Sequence, residues 1–187
     1  MFKNEISNPI FQDEISNTEI DVHTNGLPWY KVISKAVAFP LPQVKKLYKD
    51  TIVPKKGSEE AAGYDLYAYI PEHTIEIRPG ECKLIGTGVA ITPPTGYCAF
   101  IMARSGLATK QGLRPANCVG LADHDYTGEY KVALYNDSNE SRFIEVGDRI
   151  AQLVFMPYYT PEFEIVDELE ETERADGGFG HTGTKGW

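Results

Sequence analysis

Residues 120–136 read GLADHDYTGEYKVALYN, and the interpretation of the whole chain starts from this stretch. Two carboxylates and an aromatic ring, those of Asp123, Asp125 and Tyr126, lie between two glycines. The residues from Lys131 to Asn136 alternate and are rich in β-branched and aromatic side chains, which is typical of a strand. We therefore predict a β-hairpin that carries reactive groups at its tip.

Taken alone, this stretch has two interpretations. A carboxylate at a tight bend accepts a proton from water, and a neighbouring tyrosine ring gives a flat apolar wall for a sugar or a base. Asp and Gly also cluster at turns for purely conformational reasons. The choice between a site and an ordinary turn depends on the rest of the chain.

The chain on either side of this stretch is a series of short, alternating apolar segments separated by Pro and Gly. Many short strands at this spacing are typical of an all-β sandwich, jelly roll or barrel, and helix is nearly absent from the pattern. The predicted strands are Tyr64 to Tyr69, Thr74 to Ile77, Cys82 to Ile91, Gly96 to Ala103, Lys131 to Tyr135, Arg142 to Val146 and Ile150 to Pro157.

Length and charge limit what the chain can do. A length of 187 residues fits one domain with a sizeable core. The net charge of −9 argues against nonspecific binding to nucleic acid or to an acidic membrane. A ligand that carries phosphate therefore needs local positive charge or a metal.

The cysteines and the N-terminus indicate a location. Cys82, Cys98 and Cys118 are widely spaced and show no zinc-binding pattern, so thiols in a reducing compartment are expected. No apolar signal region or membrane-spanning run is present. We expect a soluble, intracellular, cytoplasmic protein.

Three parts of the chain differ in amino-acid composition. Residues 1–43 form an N-terminal extension whose role the sequence does not reveal, residues 44–161 form the β domain, and residues 162–187 form an acidic linker and a C-terminal arm. Residues 162–176 hold eight acidic side chains, and we predict a final strand and a solvated linker there.

Four further stretches carry candidate site residues. In the strand from Tyr64 to Tyr69 an acid, Asp65, is either a solvent-facing residue or part of a site. Arg104, Ser105 and Gly106 place a cation, a hydroxyl and a free backbone side by side, a combination that holds phosphate oxygens. A turn at Gly147 leads into an apolar strand interrupted by Arg149 and Gln152, and the C-terminal arm from Arg174 to Thr184 is rich in glycine, which makes it flexible.

These five stretches, in this order, resemble the five motifs of the trimeric deoxyuridine triphosphate nucleotidohydrolases, the dUTPases. The resemblance runs from about Val44 to Gly183. It implies a jelly-roll β-barrel, a homotrimer with sites shared at subunit interfaces, and Mg²⁺-assisted hydrolysis of dUTP to dUMP and pyrophosphate.

The resemblance also implies a role for each matching residue. Asp123 would be the general base, Tyr126 would stack under the deoxyribose, and Asn117, with the backbone around it that includes Gly120, would read the uracil. Asp65 would act on the Mg²⁺ shell through water. The other implied roles are phosphate binding by Arg104, Ser105 and Gly106, a contact of Gln152 with the water or a phosphate oxygen, a γ-phosphate contact of Arg174, and closure over the nucleotide by Phe179, Gly180, Thr182 and Gly183.

The chain departs from the dUTPase motifs at two positions, and two other functions compete with the dUTPase interpretation. Ala103 and Ala122 stand where the family usually has a proline and a larger aliphatic residue, and Ala122 is expected to loosen the packing behind Asp123. A dCTP deaminase of the same fold would need a glutamate where Ala133 stands, which makes deamination improbable. A protein of this fold that binds nucleotide but serves mainly as a regulatory partner, with residues 1–43 as its docking surface, is the rival of another class.

Overall fold

The computed structural model describes residues 40–178 and residue 183. Most of the N-terminal extension, and Phe179, Gly180 and Thr182 of the predicted site, lie outside the described residues. Within the described part, no helix has the length and apolar character needed to cross a membrane.

Short strands dominate the described chain. The single helix among the described residues is α1, Ser105–Gln111, which ends at Gly112 in a left-handed conformation with φ of 69°. The strands are β1 (Gln43–Lys46), β2 (Lys55–Lys56), β3 (Tyr64–Tyr67), β4 (Thr74–Ile77), β5 (Cys82–Thr92), β6 (Tyr97–Met102), β7 (Leu113–Pro115), β8 (Val119–Ala122), β9 (Glu129–Asn136), β10 (Arg142–Glu145) and β11 (Arg149–Pro157).

The strands form two main sheets and a small one. One sheet has the order β1-β5-β9-β7, the second has the order β2-β3-β11-β6-β8, and β10 pairs with β4. Neighbours in these sheets are mostly distant in sequence, and the pairings are antiparallel. This arrangement agrees with the predicted all-β, jelly-roll class, although strand pairing does not join the sheets into a closed barrel.

The predicted strands are largely confirmed. Thr74–Ile77 is found with its predicted limits, and the other six differ by one to two residues at their ends. The sequence pattern missed α1 and four short strands, β1, β2, β7 and β8. Strands of two to four residues are too short for alternation to be recognised.

The predicted hairpin at residues 120–136 is wrong. Strand β8 pairs with β6 in one sheet, whereas β9 pairs with β5 and β7 in the other. The loop 123–128 therefore crosses from one sheet to the other. A local pattern of strand, turn and strand does not distinguish these two connections, because strand partners far away in sequence decide them.

The final strand predicted within residues 162–176 is also not found. The segment has no strand pairing and contains a turn at residues 173–176, and the side chains of Phe163 and Ile165 are each 96% exposed. An isolated strand cannot satisfy its backbone hydrogen bonds.

One apolar cluster fills the space between the sheets and draws on nearly every strand. Tyr130 of β9 is the largest fully buried side chain in it, with 1% of its surface exposed. Its other members include Leu66, Ile77, Ile85, Leu113, Val132, Leu134, Ile144, Ile150 and Leu153. Burying an aliphatic side chain of this size stabilises the fold by about 1.5–3 kcal/mol.

The Tyr130 hydroxyl is an exception within this core. It has no hydrogen-bond partner in the described part of the chain. Burial, with smaller contributions from Tyr126, Asp123 and Cys98, raises the pKa of this hydroxyl from 10.0 to about 12. Above pH 10 an unfolded tyrosine ionises while Tyr130 in the folded protein stays neutral, so this group disfavours the folded state as the pH rises from 10 towards 12.

We predict that Tyr130→Phe leaves the fold intact and changes stability little at pH 7, with a gain of up to about 1 kcal/mol because an unpaired buried hydroxyl is removed. Because the variant lacks the ionisable group, its advantage over the wild type should widen as the pH rises above 10. Urea unfolding of both proteins at several pH values between about 7 and 11 measures this difference. A difference that does not change with pH would contradict the assignment.

Candidate functional site

A buried carboxylate organises the first group of predicted site residues. Asp65 on β3 is only 4% exposed, so the solvent-facing interpretation of this acid is wrong. Its Oδ1 accepts a hydrogen bond from Arg104 Nε at 2.9 Å, and its Oδ2 accepts one from Arg149 at 3.2 Å. Arg104 also donates to the Arg149 carbonyl oxygen at 3.2 Å. Asp65 thus links β3 to the end of β6 and the start of β11.

Sheet register brings a further predicted residue to the same place. Gln152 on β11 lies opposite Asp65 of β3 on one side and opposite Met102 of β6 on the other. The group contains two guanidinium ions and one carboxylate, so it carries a net positive charge within an acidic chain. Because a guanidinium has five N–H donors, each arginine keeps donors for an anion.

Ser105 and Gly106 follow Arg104 at the start of α1 and are exposed. A Cβ atom built on Gly106 would meet no atom within 4 Å. The hydroxyl and the open backbone next to Arg104 are therefore accessible to a ligand, as the sequence predicted. We call this group of residues the cationic cluster. It consists of Asp65, Arg104, Ser105, Gly106, Arg149 and Gln152.

The second group of predicted residues lies along β8 and the loop that follows it. Asn117 precedes β8 and is exposed. Gly120 lies beneath it, because a Cβ atom on Gly120 would come within 3.2 Å of Asn117 Nδ2 and within 3.1 Å of Ile101 Cβ. The absence of a side chain at position 120 thus lets the Asn117 amide lie over β8.

Tyr126 is held in the same loop. Its hydroxyl donates to the Glu129 carbonyl oxygen at 2.8 Å, and its ring centroid lies 5.9 Å from that of Tyr130. A Cβ atom on Gly128 would come within 2.6 Å of the Tyr126 hydroxyl, so only glycine lets the ring fold back in this way. Nearly half of the Tyr126 surface remains exposed and available for stacking.

Asp123 is exposed at the edge of a groove of about 580 Å³. The next residue, His124, is tied to the turn before β6 by a 2.6 Å contact between its Nδ1 and the Pro93 carbonyl oxygen. The groove is lined by Cys98, Phe100, Leu121, Asp123, His124, Asp125, Tyr158, Tyr159 and Thr160. A carboxylate that faces a groove from a tethered loop is placed to take a proton from a bound water.

Asp123 and Arg104 lie at opposite ends of β6, whereas Asn117 precedes Val119, which pairs with Met102 near the Arg104 end. Ala122 pairs with Ala99 and Val119 pairs with Met102, so Asp123 lies beyond the start of this pairing and Arg104 beyond its end. At about 3.3 Å per strand residue, Asp123 and Arg104 are separated by roughly 15–20 Å. The fold therefore keeps the loop with Asp123 and Tyr126 apart from the cationic cluster within one chain, and we call these two parts the half-sites.

The C-terminal residues form a third part. The side chain of Arg174 is exposed and its Nε donates to the Gly177 carbonyl oxygen at 2.9 Å. Gly183 is exposed and has a positive φ of 82°. Neither residue contacts the cationic cluster or Asp123 through the hydrogen bonds or ion pairs found in the described chain.

Sequence reasoning left out three participants. In the sequence, Arg149 is only a polar interruption of a strand. In the structure it forms an ion pair with Asp65, as Arg104 does. His124 and Tyr130 were not assigned to the site. Arg149 could have been found from its position three residues before Gln152 in the same strand. The proximity of Tyr130 to Tyr126 depends on packing between sheets and leaves no such pattern in the sequence.

Comparison with known proteins gives a consistent result. The dUTPase family model matches residues 49–183. A curated deoxyuridine 5'-triphosphate nucleotidohydrolase of Haemophilus influenzae is 50% identical over 132 residues, which cover 70% of this chain and 87% of that protein. A protein of the same name from a Hydrogenobaculum species is 46% identical over 142 residues, covering 76% of this chain and 97% of that protein.

Solved structures give the same result. The dUTPase of Staphylococcus bacteriophage 80alpha with dUPNHPP has a TM-score of 0.70 and 31% identity, covering 78% of this chain and all of that chain. A mutant dUTPase from phage phi11 of S. aureus, described with a structural Mg(II) ion, has a TM-score of 0.63 and 26% identity, covering 71% of this chain and all of that chain. The matched region contains both half-sites and every strand from β2 to β11, and the chain therefore belongs to the dUTPase family.

Proposed function

We propose that this protein hydrolyses dUTP to dUMP and pyrophosphate in the cytoplasm. The observation that carries the proposal is the pair of half-sites: one offers an accessible carboxylate beside an exposed aromatic ring, and the other offers two guanidinium ions held by a buried carboxylate. The first suits a water nucleophile and a sugar. The second suits a polyphosphate.

In this proposal Asp123 is the general base for the water that attacks the α-phosphorus. Tyr126 stacks under the deoxyribose, and its fixed position leaves no room for a 2′-hydroxyl. Asn117 and the backbone at Gly120 read the uracil edge. These roles fit an exposed carboxylate, a ring held by the Glu129 carbonyl oxygen, and an amide that lies over a glycine.

The cationic cluster receives the phosphates. Negative charge builds up on the phosphate oxygens in the transition state, and fixed guanidinium donors stabilise it without reorganising. Ser105 and Gly106 add a hydroxyl and open backbone, and Gln152 holds the water or a phosphate oxygen. Arg174 reaches the γ-phosphate, and the arm with Phe179, Gly180, Thr182 and Gly183 closes over the nucleotide and excludes water.

Magnesium is the proposed cofactor. In the described chain no group of three or more His, Cys, Asp or Glu side chains is placed to hold a metal ion, and both oxygens of Asp65 already accept hydrogen bonds from arginines. This donor set fits Mg²⁺ held mainly by the triphosphate and by water, with Asp65 acting through water. When bound, the ion would neutralise phosphate charge.

We propose a homotrimer with shared sites, and the distance between the half-sites supports the sharing of a site between copies. A nucleotide that contacts Asp123 of one subunit cannot also reach Arg104 of the same subunit across roughly 15–20 Å of strand. A second copy would supply the missing half. Two exposed features support such contacts: the aromatic and aliphatic residues of the 162–169 segment, and the outer face of the second sheet, where Met102, Val119, Leu121 and Met156 lie side by side.

Product analysis tests the reaction. We predict that the purified protein with Mg²⁺ converts dUTP to dUMP and pyrophosphate and leaves dCTP, dTTP and UTP unchanged. Ammonia released from dCTP would instead identify a deaminase, although Ala133 supplies no carboxylate on β9. Bound but unhydrolysed dUTP would contradict the proposal in favour of a regulatory protein.

We predict that Asp123→Asn keeps affinity for dUTP but lowers kcat by a factor of about 10²–10⁴, the usual contribution of a general base. Steady-state kinetics and binding of dUPNHPP measure the two effects separately. Asp125→Asn is the matched control, because this acid is also exposed two residues away. Turnover near the wild-type rate in Asp123→Asn would mean that another group is the base.

Shared sites predict complementation between two inactive variants. Asp123→Asn and Arg104→Ala each disable one half-site, so co-expressed chains that mix at random should recover about a quarter of the wild-type activity if the halves come from different subunits. The control is an oligomer in which every chain carries both substitutions, and it should stay inactive. No recovery from a mixed oligomer would indicate that both halves act within one subunit.

A further inference from the structure

Asn117 lies in a strained turn between β7 and β8. The Val119 N–H donates to the Asn117 carbonyl oxygen at 2.6 Å, and the residue between them, Cys118, has a positive φ of 61°. This pattern is that of the classic γ-turn, which is rare and strained for residues other than glycine. Such a conformation persists only where surrounding contacts maintain it.

The Arg114 side chain contacts this turn. One of its amino nitrogens lies 4.0 Å from Cys118 Sγ, at the centre of the turn. The guanidinium is itself fixed from two sides, since its Nε donates to Asp137 Oδ2 at 3.0 Å and its plane lies over the Tyr135 ring at 5.2 Å. The Cys118 N–H donates to the Pro115 carbonyl oxygen at 3.1 Å, which closes the turn on the β7 side.

We propose that Arg114 and Cys118 are positioning residues for uracil recognition: Arg114, fixed by Asp137 and Tyr135, holds the strained turn at Cys118 and so directs Asn117 toward the base. This inference rests on the proposed function, in which Asn117 reads the uracil. Neither side chain needs to touch the nucleotide. Their effect is on base selectivity and affinity, and the chemical step is left to Asp123.

Arg114→Ala tests the proposal by kinetics with two pairs of nucleotides. We expect KM for dUTP to rise about tenfold, the size of one lost hydrogen bond to the base, with a smaller change in kcat. The preference for dUTP over dCTP, measured as the KM for dUTP against the inhibition constant of dCTP, should fall by a similar factor. The preference for dUTP over UTP, measured in the same way, depends on Tyr126 and should not change.

Two further variants test whether Arg114 acts by positioning the turn. Arg114→Lys controls for the loss of charge, and Arg142→Ala controls for a general loss of stability. Arg114→Lys keeps the charge but cannot bridge Asp137, Tyr135 and Cys118 together, so it should behave like the alanine variant. Arg142→Ala is the matched control, because Arg142 is similarly exposed, pairs with Glu140 at 3.1 Å and donates to the Gln111 carbonyl oxygen, away from the turn. Full activity in Arg114→Lys, or equal losses in Arg114→Ala and Arg142→Ala, would overturn the proposal.

Cysteine labelling gives a readout that does not depend on turnover. Cys118 and Cys82 are both exposed free thiols, whereas Cys98 is buried. Bound dUPNHPP should slow alkylation of Cys118 by iodoacetamide several-fold in the wild type and leave Cys82 unaffected, as measured by peptide mass spectrometry. Equal labelling with and without bound nucleotide would overturn the placement of the turn at the base. If the wild type hydrolyses dUTP and Arg114→Ala keeps the wild-type selectivity for dUTP over dCTP, this inference is refuted and the proposed function stands.

Discussion

The ion pairs of Asp65 are the interaction on which the proposed phosphate-binding half of the site depends. A carboxylate that is 4% exposed loses most of its hydration, and several kcal/mol of that loss must be recovered from its partners. Arg104, just before α1, and Arg149, at the start of β11, provide this compensation. In return, two long and mobile side chains are fixed at the surface. The carboxylate thus prepares a cationic site within a chain whose net charge is −9.

Strand geometry explains why this cluster is separated from Asp123. A β-strand advances by about 3.3 Å per residue, so two loops at opposite ends of β6 cannot contact one small ligand. The same sheet exposes an apolar outer face between those ends. In the proposed homotrimer, a single chain holds two incomplete sites and a surface suited to a second copy. Association and catalysis would be linked in that assembly, because a contact that covers the apolar face would also bring half-sites of different chains together.

The sequence predicts those features that depend on local pattern. Thr74–Ile77 alternates clearly and is found with its predicted limits, and Arg104, Ser105 and Gly106 lie together because they are adjacent. Features that depend on pairing between distant segments were missed or wrong. Asp65 is buried because β11 and β6 bring two arginines to it. The loop 123–128 crosses between sheets because β8 and β9 find different partners, which no turn signal encodes.

Ala122 precedes the proposed base where a larger aliphatic residue is usual in the family, and it pairs with another alanine, Ala99. Both alanines belong to the apolar cluster that also contains Tyr130, the largest fully buried side chain among the described residues. Small side chains in a core leave volume that larger neighbours must fill, because an unfilled cavity costs about 24 cal/mol per Å³. The Tyr130 ring lies 5.9 Å from the Tyr126 ring in the loop that carries Asp123, and its hydroxyl has no partner among the described residues. The cluster next to this loop thus combines two small side chains on β6 and β8 with one bulky ring on β9 whose hydroxyl is unpaired.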